Sequence, residues 1–518
     1  MAFGGLTREV FKHAAIYSLA TVLGRLISFV MLPFYAHIFH AEGYGVIGMI
    51  DATLGILVIV FAQGFHLAAM RIYHQEKGDR KLLVIGTTVY LAGGLALVAI
   101  VLPLIFSVQL SRIFLGSEAH AILLVLSLIT FVIDTVCHGA TTALFISQRS
   151  IAYSSIALVR LVLGLALNLV LVIVLGVGLI GIFITSLVTG LVACAMTLWL
   201  VTKEHQLRYD REIAGRLLRF QGPLLPGDLI AFASRQAERF LVRFLVDIRA
   251  VGVLEMAYKF PPLLNLFVSI PFSQAWRTKS LEIAEVDANA PAILGKMFTK
   301  YLFLMVFAGV VLAVVIESLL HILTPPEFWG AARIARIEVV TTILASANTM
   351  LAFGLMYRNK TGVISVIRSL LAVAKIPLAF IMIAKFGLQG AAYAALIIEV
   401  VLTYLLWSRS QSSYRIDYEY GKLAFIAVYG LSVAFVLTHF GVLDVIDFRS
   451  IADGAFDSWK GSTDQQVGKW LRILQERERS IVELTVDLAS CVLFLAVMPW
   501  LFDLRGAWRQ VSRRASRA

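Results

Sequence analysis

The sequence predicts an all-α polytopic membrane protein of about fourteen transmembrane helices: two parallel six-helix lobes and two extra helices toward the C-terminus. Three observations carry that expectation. The 518 residues are 59% apolar and only 15% charged. Apolar runs of about 20 residues, the length a helix needs to cross a hydrocarbon layer, recur along the chain. The basic residues collect in alternate connections between those runs, as they do where Lys and Arg mark the cytoplasmic side.

This composition excludes a disordered chain and departs from the roughly 25% charge of ordinary soluble domains. The net charge is +12, from 45 Lys and Arg against 33 Asp and Glu. In a soluble protein that excess points to nucleic acid; on an apolar polytopic chain it reads as a topology label, and no nucleic-acid partner is expected. Cys137, Cys194 and Cys491 each lie in an apolar run without a neighbouring ligand, so they read as packing residues rather than disulfide or zinc positions. The first apolar stretch lacks a small-residue cleavage pattern and is expected to stay as a span.

In order, the runs fall near 13–39, 44–69, 82–106, 121–146, 150–175, 178–201, 221–246, 250–276, 297–324, 330–356, 362–384, 387–407, 421–443 and 481–503. The seventh carries five charges, and the eighth contains Pro261 and Pro262, a break that neighbouring helices in a bundle can satisfy. With the N-terminus cytoplasmic, the inner segments hold 24 Lys and Arg and the outer ones 9, six of those in the long segment 444–480. Both termini are therefore expected in the cytoplasm. The segment 444–480, with Trp459, Trp470, Leu471 and Ile473 among charges, reads as an amphipathic stretch along the outer interface.

A weak internal repeat organises these spans. Gly43 to Met49 aligns with Ala250 to Met256 at an offset of 207 residues, and Val177 to Gly181 with Phe386 to Gly390 at 209. Arg160 and Arg368 correspond at 208, and Arg149 and Arg358 at 209. An N-lobe of residues 1–206 and a C-lobe of 207–410 follow, with 411–518 holding the last two helices, the outer loop and a basic cytoplasmic tail. Six spans return the chain to its starting side, so the lobes are parallel, the layout of transporters that bind substrate near the midplane.

The stretches Thr21-Val22-Leu23-Gly24-Arg25, Phe34-Tyr35-Ala36 and Ala41-Glu42-Gly43-Tyr44-Gly45 resemble the opening of the bacterial polysaccharide flippases. These are Wzx-type oligosaccharide exporters of the multidrug/oligosaccharidyl-lipid/polysaccharide superfamily. The turns at Gln148-Arg149 and Gly178-Leu179-Ile180-Gly181 fit as well, and the resemblance covers roughly residues 8–440. It implies a fold like those of the multidrug (MATE) and lipid II flippase relatives. It also implies movement of undecaprenyl-diphosphate-linked glycans across the bacterial cytoplasmic (inner) membrane. The arginine-rich early helices of the lipid II flippases are missing, which favours the polysaccharide branch. The long segment 444–480 departs from the usual pattern.

Charged side chains inside spans are costly and usually face a cavity or a partner. Among the basic ones are Arg25, Arg160, Arg235, Arg239, Arg243, Lys259, Arg333, Arg336, Arg368 and Lys375; among the acidic ones are Asp51, Asp134, Asp228, Glu238, Glu255, Glu317, Glu338 and Glu399. Arg25 lies too deep to snorkel easily, and its guanidinium fork suits diphosphate oxygens; the alternative is an ion pair with Asp51. Arg235, Arg239 and Arg243 share one helical face by their i, i+4, i+8 spacing. Arg243 fits a structural role at the outer interface. Lys259 sits one position from the repeat equivalent of Asp51, and either faces the central space or pairs with Glu255 four residues earlier. Arg25, Arg235, Arg239 and Lys259 are thus the expected diphosphate ligands. Arg71 and Arg277, at nearly equivalent helix ends, read as topology signals or as a reception point for the headgroup. Arg333 and Arg336 are expected to snorkel. Asp51, Asp134, Glu255, Glu317 and Glu399 are candidates for H+ or Na+ coupling, each also a natural structural partner.

No Walker A loop, Gly-x-Ser-x-Gly elbow or His-Glu-x-x-His pair occurs, so neither ATP binding nor hydrolysis is expected, and no cofactor or resident metal. His13, His37, His40, His66 and His74 lack helical metal spacing. The expected partners are the lipid-linked oligosaccharide, membrane lipids, and a glycan polymerase with its export machinery. Two alternatives stand beside a flippase. An ion-coupled multidrug exporter of the same superfamily is disfavoured by the cationic lumen. A membrane glycan polymerase or ligase would need long outer loops, of which 444–480 is the one candidate.

Overall fold

The computed structural model describes residues 2–203 and 207–439, with side chains at 24 and 27 and from 29 onward except at 62, 63, 278 and 435–439. The fourteenth expected span, the segment 444–480 and the basic tail lie outside the described residues. Described elements are helical throughout: α1 (Ala2–Val58), α2 (Gly64–Gln75), α3 (Arg80–Ile105), α4 (Ser107–Leu110), α5 (Ala121–Ile146), α6 (Ser150–Asn168), α7 (Leu179–Thr202), α8 (Arg211–Gln221), α9 (Leu225–Leu245), α10 (Ile248–Ala257), α11 (Pro262–Leu264), α12 (Ile270–Val286), α13 (Ala290–Leu323), α14 (Ala331–Leu351), α15 (Phe353–Tyr357), α16 (Thr361–Phe386), α17 (Gln389–Ser413) and α18 (Tyr420–His439). Among the described residues nine helical segments are long and apolar enough to cross a membrane. The chain is a multi-pass membrane protein, and apolar side chains such as Val98, Leu102 and Ile105 stand exposed on it.

The first two expected spans run as one helix, α1, interrupted at His40, whose backbone turns to φ 54°. Near its end α1 passes into a π-helical turn over Ile59–Gln63. A π turn shifts the hydrogen-bond ladder by one residue and frees a carbonyl. Gln221, at the end of α8, donates from Nε2 to the Val60 carbonyl at 2.6 Å. The short helix α8 falls in an expected inner loop. It is capped by Asp210, whose carboxylate accepts from the backbone amides of Glu212 and Ile213 at 2.9 Å each. Its buried face, Ile213 and Leu217, packs with Phe65, Ala68 and Ile72 of α2.

Two compact units form. One runs from the chain start to Glu255 and adds Ala372–Leu388; the other takes Met256–Leu371 and resumes at Gln389. In the first, α5 is the central helix, with α3 on one side through Ile85, Val89 and Ala140, and α7 on the other through Cys137 and Cys194. Close approach there depends on small residues, which let membrane helices gain van der Waals contact.

In the second unit, glycines set the same kind of contact. Gly295 of α13 lies against the Asp417 carbonyl and Gly430 of α18 against Val306. Gly354 lies against Ser410 of α17, whose hydroxyl accepts from the Gly354 amide at 2.9 Å. The eighth expected span is broken: α10 ends at Ala257, and helix resumes at Pro262 and passes through a π turn over Asn265–Ser269. Proline lacks an amide donor and clashes with the preceding turn, which accounts for the stop.

Candidate substrate and coupling sites

The amphipathic helix α9 carries the densest intramembrane charge. Its arginines share a face but meet different partners. Arg239 donates from Nε and Nη2 to the Glu255 carboxylate, the latter at 3.3 Å, and from Nη1 to Gln236. Arg243 donates to the Phe114 carbonyl at 2.9 Å and lies against Gly116, so it fastens the turn after α4. Arg235 is exposed and has no ion-pair partner among the described residues. Asp228 is exposed too, whereas Glu238, to the side of that face, is buried and ion-paired to Lys375 at 2.8 Å.

Glu255 is held for a reason visible in the backbones around it. The second stretch of α1 crosses α10 at the positions that the sequence repeat aligns. A β-carbon on Gly45 would stand 1.9 Å from the Ile248 carbonyl oxygen, and one on Gly252 would stand 1.8 Å from the Ala41 carbonyl oxygen. Gly45 corresponds to Gly252, and Ala41 to Ile248, so the two contacts are the same contact seen from either helix. One turn further, Gly48 corresponds to Glu255, and these also meet: the Glu255 side chain fills the space over Gly48, where a β-carbon would come within 2.5 Å of it. The missing side chain at 48 is therefore the seat of the carboxylate that Arg239 grips. On the other side of the crossing Arg249 stands 3.7 Å from Glu42, both exposed.

Glu255 thus takes Arg239 of α9 rather than Lys259. Because α10 stops at Ala257, Lys259 lies in a turn and the i, i+4 geometry expected for that pair does not exist. Lys259 belongs to the second unit and is exposed, as is Arg277 of α12. Asp51 is exposed on α1, one turn beyond Gly48. The Arg25 side chain lies outside the described residues. Arg71, exposed at the end of α2, places its guanidinium 5.2 Å from the centre of the Phe220 ring.

A second polar centre sits inside the first unit. Arg160 of α6 reaches both oxygens of Asp134 on α5, at 2.9 and 3.0 Å, and Gly190 of α7 leaves room for the pair. They line a cavity of about 600 Å³ with His66, His138, Thr141 and Tyr153. His66 Nδ1 lies 2.8 Å from the Thr142 hydroxyl, and its ring meets Phe145 edge-on at 5.4 Å. Sequence reading names Asp134 and Arg160, and His66 only as a histidine without metal spacing, but not His138, Thr141 or Tyr153, because lone polar positions in apolar runs carry no spacing signal.

In the second unit, Glu317 accepts from Arg336 at 2.6 Å, and Arg336 also donates to the Ala313 carbonyl at 3.0 Å. That arginine holds two helices together instead of snorkelling. Glu399 accepts from the buried Asn348 amide at 2.6 Å. Arg333 and Arg368 are exposed. A cavity of about 390 Å³ here is lined chiefly by apolar and aromatic side chains, Phe298, Tyr404, Trp407 and Tyr418 among them. Among the described residues no three His, Cys, Asp or Glu side chains converge to hold a metal ion.

An all-helical chain with charged pairs seated among its spans has the fold of membrane flippases and transporters. The lipid II flippase MurJ, in an inward closed conformation, is similar to it with a TM-score of 0.68 at 13% identity, over 94% of this chain and 99% of that one. An inward-facing multidrug resistance MATE family transporter of the MOP superfamily gives 0.58 at 15% identity, over 80% and 95%. The Vibrio cholerae MATE transporter VcmN gives 0.51 at 13%, over 80% and 98%. These likenesses establish the fold. The model of the polysaccharide biosynthesis protein family matches residues 10–276, and the chain belongs to that family. No curated protein matches it.

Proposed function

We propose that this protein flips an undecaprenyl-diphosphate-linked oligosaccharide or polysaccharide repeat unit across the bacterial cytoplasmic membrane by alternating access, with both termini on the cytoplasmic side. It acts as a secondary transporter rather than an enzyme. The observation that carries the reading is the charge arrangement on α9, in a chain of this family. Arg235 is exposed without a counter-ion among the described residues, one helical turn from an Arg239 that is ion-paired to a carboxylate seated in a glycine notch. A diphosphate offers several oxygens to guanidinium forks, so it takes Arg235 and competes with Glu255 for Arg239. A cationic drug would be repelled by the same face.

Arg25 and Lys259 complete the anion site in this proposal, and Arg71 and Arg277 receive the headgroup on the cytoplasmic side. The lobes are residues 1–206 and 207–410. The reciprocal glycine crossing, between an outer end of each repeat, closes the outer path. The glycolipid gradient, or H+ or Na+ taken up at one of Asp51, Asp134, Glu255, Glu317 and Glu399, biases the cycle. The glycan then passes to a polymerase and its export machinery. The test is glycan export in cells whose only copy carries Arg25→Ala or Arg235→Ala. Export is lost while the variant accumulates normally in the membrane; normal export by both variants overturns the assignment.

A further inference from the structure

We propose that the Asp134–Arg160 cavity is a glycan subsite, which takes sugar of the cargo while the diphosphate is held elsewhere. The inference rests on the reading that the cargo is a diphosphate-linked glycan.

The pair occupies a place that stability does not explain. Asp134 lies midway along the span Glu118–Ile146 and Arg160 midway along Ser150–Val174. Removing two charges from water at that depth is costly, and an apolar pair of the same volume packs as well or better. The pair is also not sealed: the side chains keep 31% and 39% exposure, toward a cavity of about 600 Å³, within the size range of small-molecule sites.

The lining selects by charge. One carboxylate and one guanidinium neutralise each other, and His66 and His138 add no formal charge. Among the described residues a diphosphate finds no surplus cation here, and a cationic drug finds no surplus carboxylate. A neutral ligand that both donates and accepts hydrogen bonds fits: Asp134 accepts from hydroxyls, Arg160 donates to them, and Thr141 does either. The Tyr153 ring, 4.8 Å from that of Phe145, supplies an aromatic wall against which the apolar face of a pyranose can lie. Neutral hydroxyls on one edge and C–H groups on one face describe a sugar.

The test compares two lipids on purified full-length protein in detergent. One is lipid-linked oligosaccharide extracted from cells lacking this protein; the other is sugar-free undecaprenyl diphosphate. The apparent Kd of each is read from thermal-unfolding shifts. In the unaltered protein the glycolipid binds about tenfold more tightly or better, the worth of at least one good hydrogen bond. Asp134→Asn abolishes that difference and leaves the affinity for undecaprenyl diphosphate unchanged. If Asp134→Asn does not fold, His138→Gln, at an exposed position on the same lining, shows the same loss. Equal affinity for the two lipids in the unaltered protein overturns the subsite while the flippase reading stands, as does a difference that survives the substitution. Binding of neither lipid overturns the flippase reading and the subsite with it.

Discussion

Alanine at Gly45 or Gly252 tests the reciprocal crossing of α1 and α10 directly. Each added β-carbon would lie under 2 Å from a carbonyl oxygen of the opposite helix, where ordinary contact begins at 3.4 Å. The partner atom is backbone and cannot rotate away, so the helices must part by about 1.5 Å. Overpacking of this kind costs about 1–3 kcal/mol, and the gap it opens also loosens Glu255 over Gly48. Alanine returns up to about 1 kcal/mol in helix propensity, so each single variant is expected to lose about 1–2 kcal/mol net. The double variant is the sharper measurement. Both β-carbons press into one gap, and once the first has parted the helices the second meets little further resistance. The pair should therefore be sub-additive by about 1 kcal/mol or more. Gly94→Ala on α3, where a β-carbon meets nothing within 4 Å, is the control, and gains stability by about 0.5–1 kcal/mol. Unfolding in detergent micelles followed by tryptophan fluorescence gives all four values. Additive losses at 45 and 252, or single variants that behave like Gly94→Ala, would refute the reasoning.

Further outcomes follow from the ion pairs and the π turn. Lys375→Met removes the ammonium that pairs with the buried Glu238 carboxylate and should cost about 3 kcal/mol; adding Glu238→Gln should restore most of it, as a two-variant unfolding cycle will show. Arg336→Lys loses the paired donation to Glu317 and Ala313, but Glu317 is 46% exposed, so the loss should stay near 1 kcal/mol in the same assay. Gln221→Leu strips the donor from the Val60 carbonyl; hydrogen exchange across Ile59–Gln63 should rise by about tenfold, with unfolding stability lower by about 1–2 kcal/mol.

Class and helix placement were legible because they rest on composition and on runs that one physical length, the hydrocarbon thickness, sets. The arginine face of α9 was legible from a four-residue spacing within one helix. Its partners were not. Pairing Glu255 with Lys259 by i, i+4 spacing assumed a helix that the coming prolines end at Ala257, and the true partner, Arg239, comes from a different helix. Arg336 was read by its nearness to a span end, yet Glu317 of the preceding helix offers it a carboxylate. The short helix α8 falls between the expected spans, too short for a search at membrane length; its two-sided pattern, with Ile213 and Leu217 inward, is legible in the sequence. The glycine crossing was half legible. The repeat alignment pairs the residues that meet there, but sequence similarity between two segments does not say that they touch.

That they touch through residues equivalent in the repeat has a consequence for where charge can be placed. Ala41 meets Gly252 as Ile248 meets Gly45, which is the rule of an isologous interface, where one surface patch meets its own copy across a two-fold axis. The position next to that contact shows what two unlike segments permit. In a dimer of identical copies residue 48 would face itself: two glycines would leave a hole, and two glutamates would collide and repel. Only a chain whose halves are free to differ can set Gly48 against Glu255, placing a carboxylate on one side and the room for it on the other. The seat that holds Arg239 in check is therefore an asymmetry that no symmetric assembly of one lobe could have encoded.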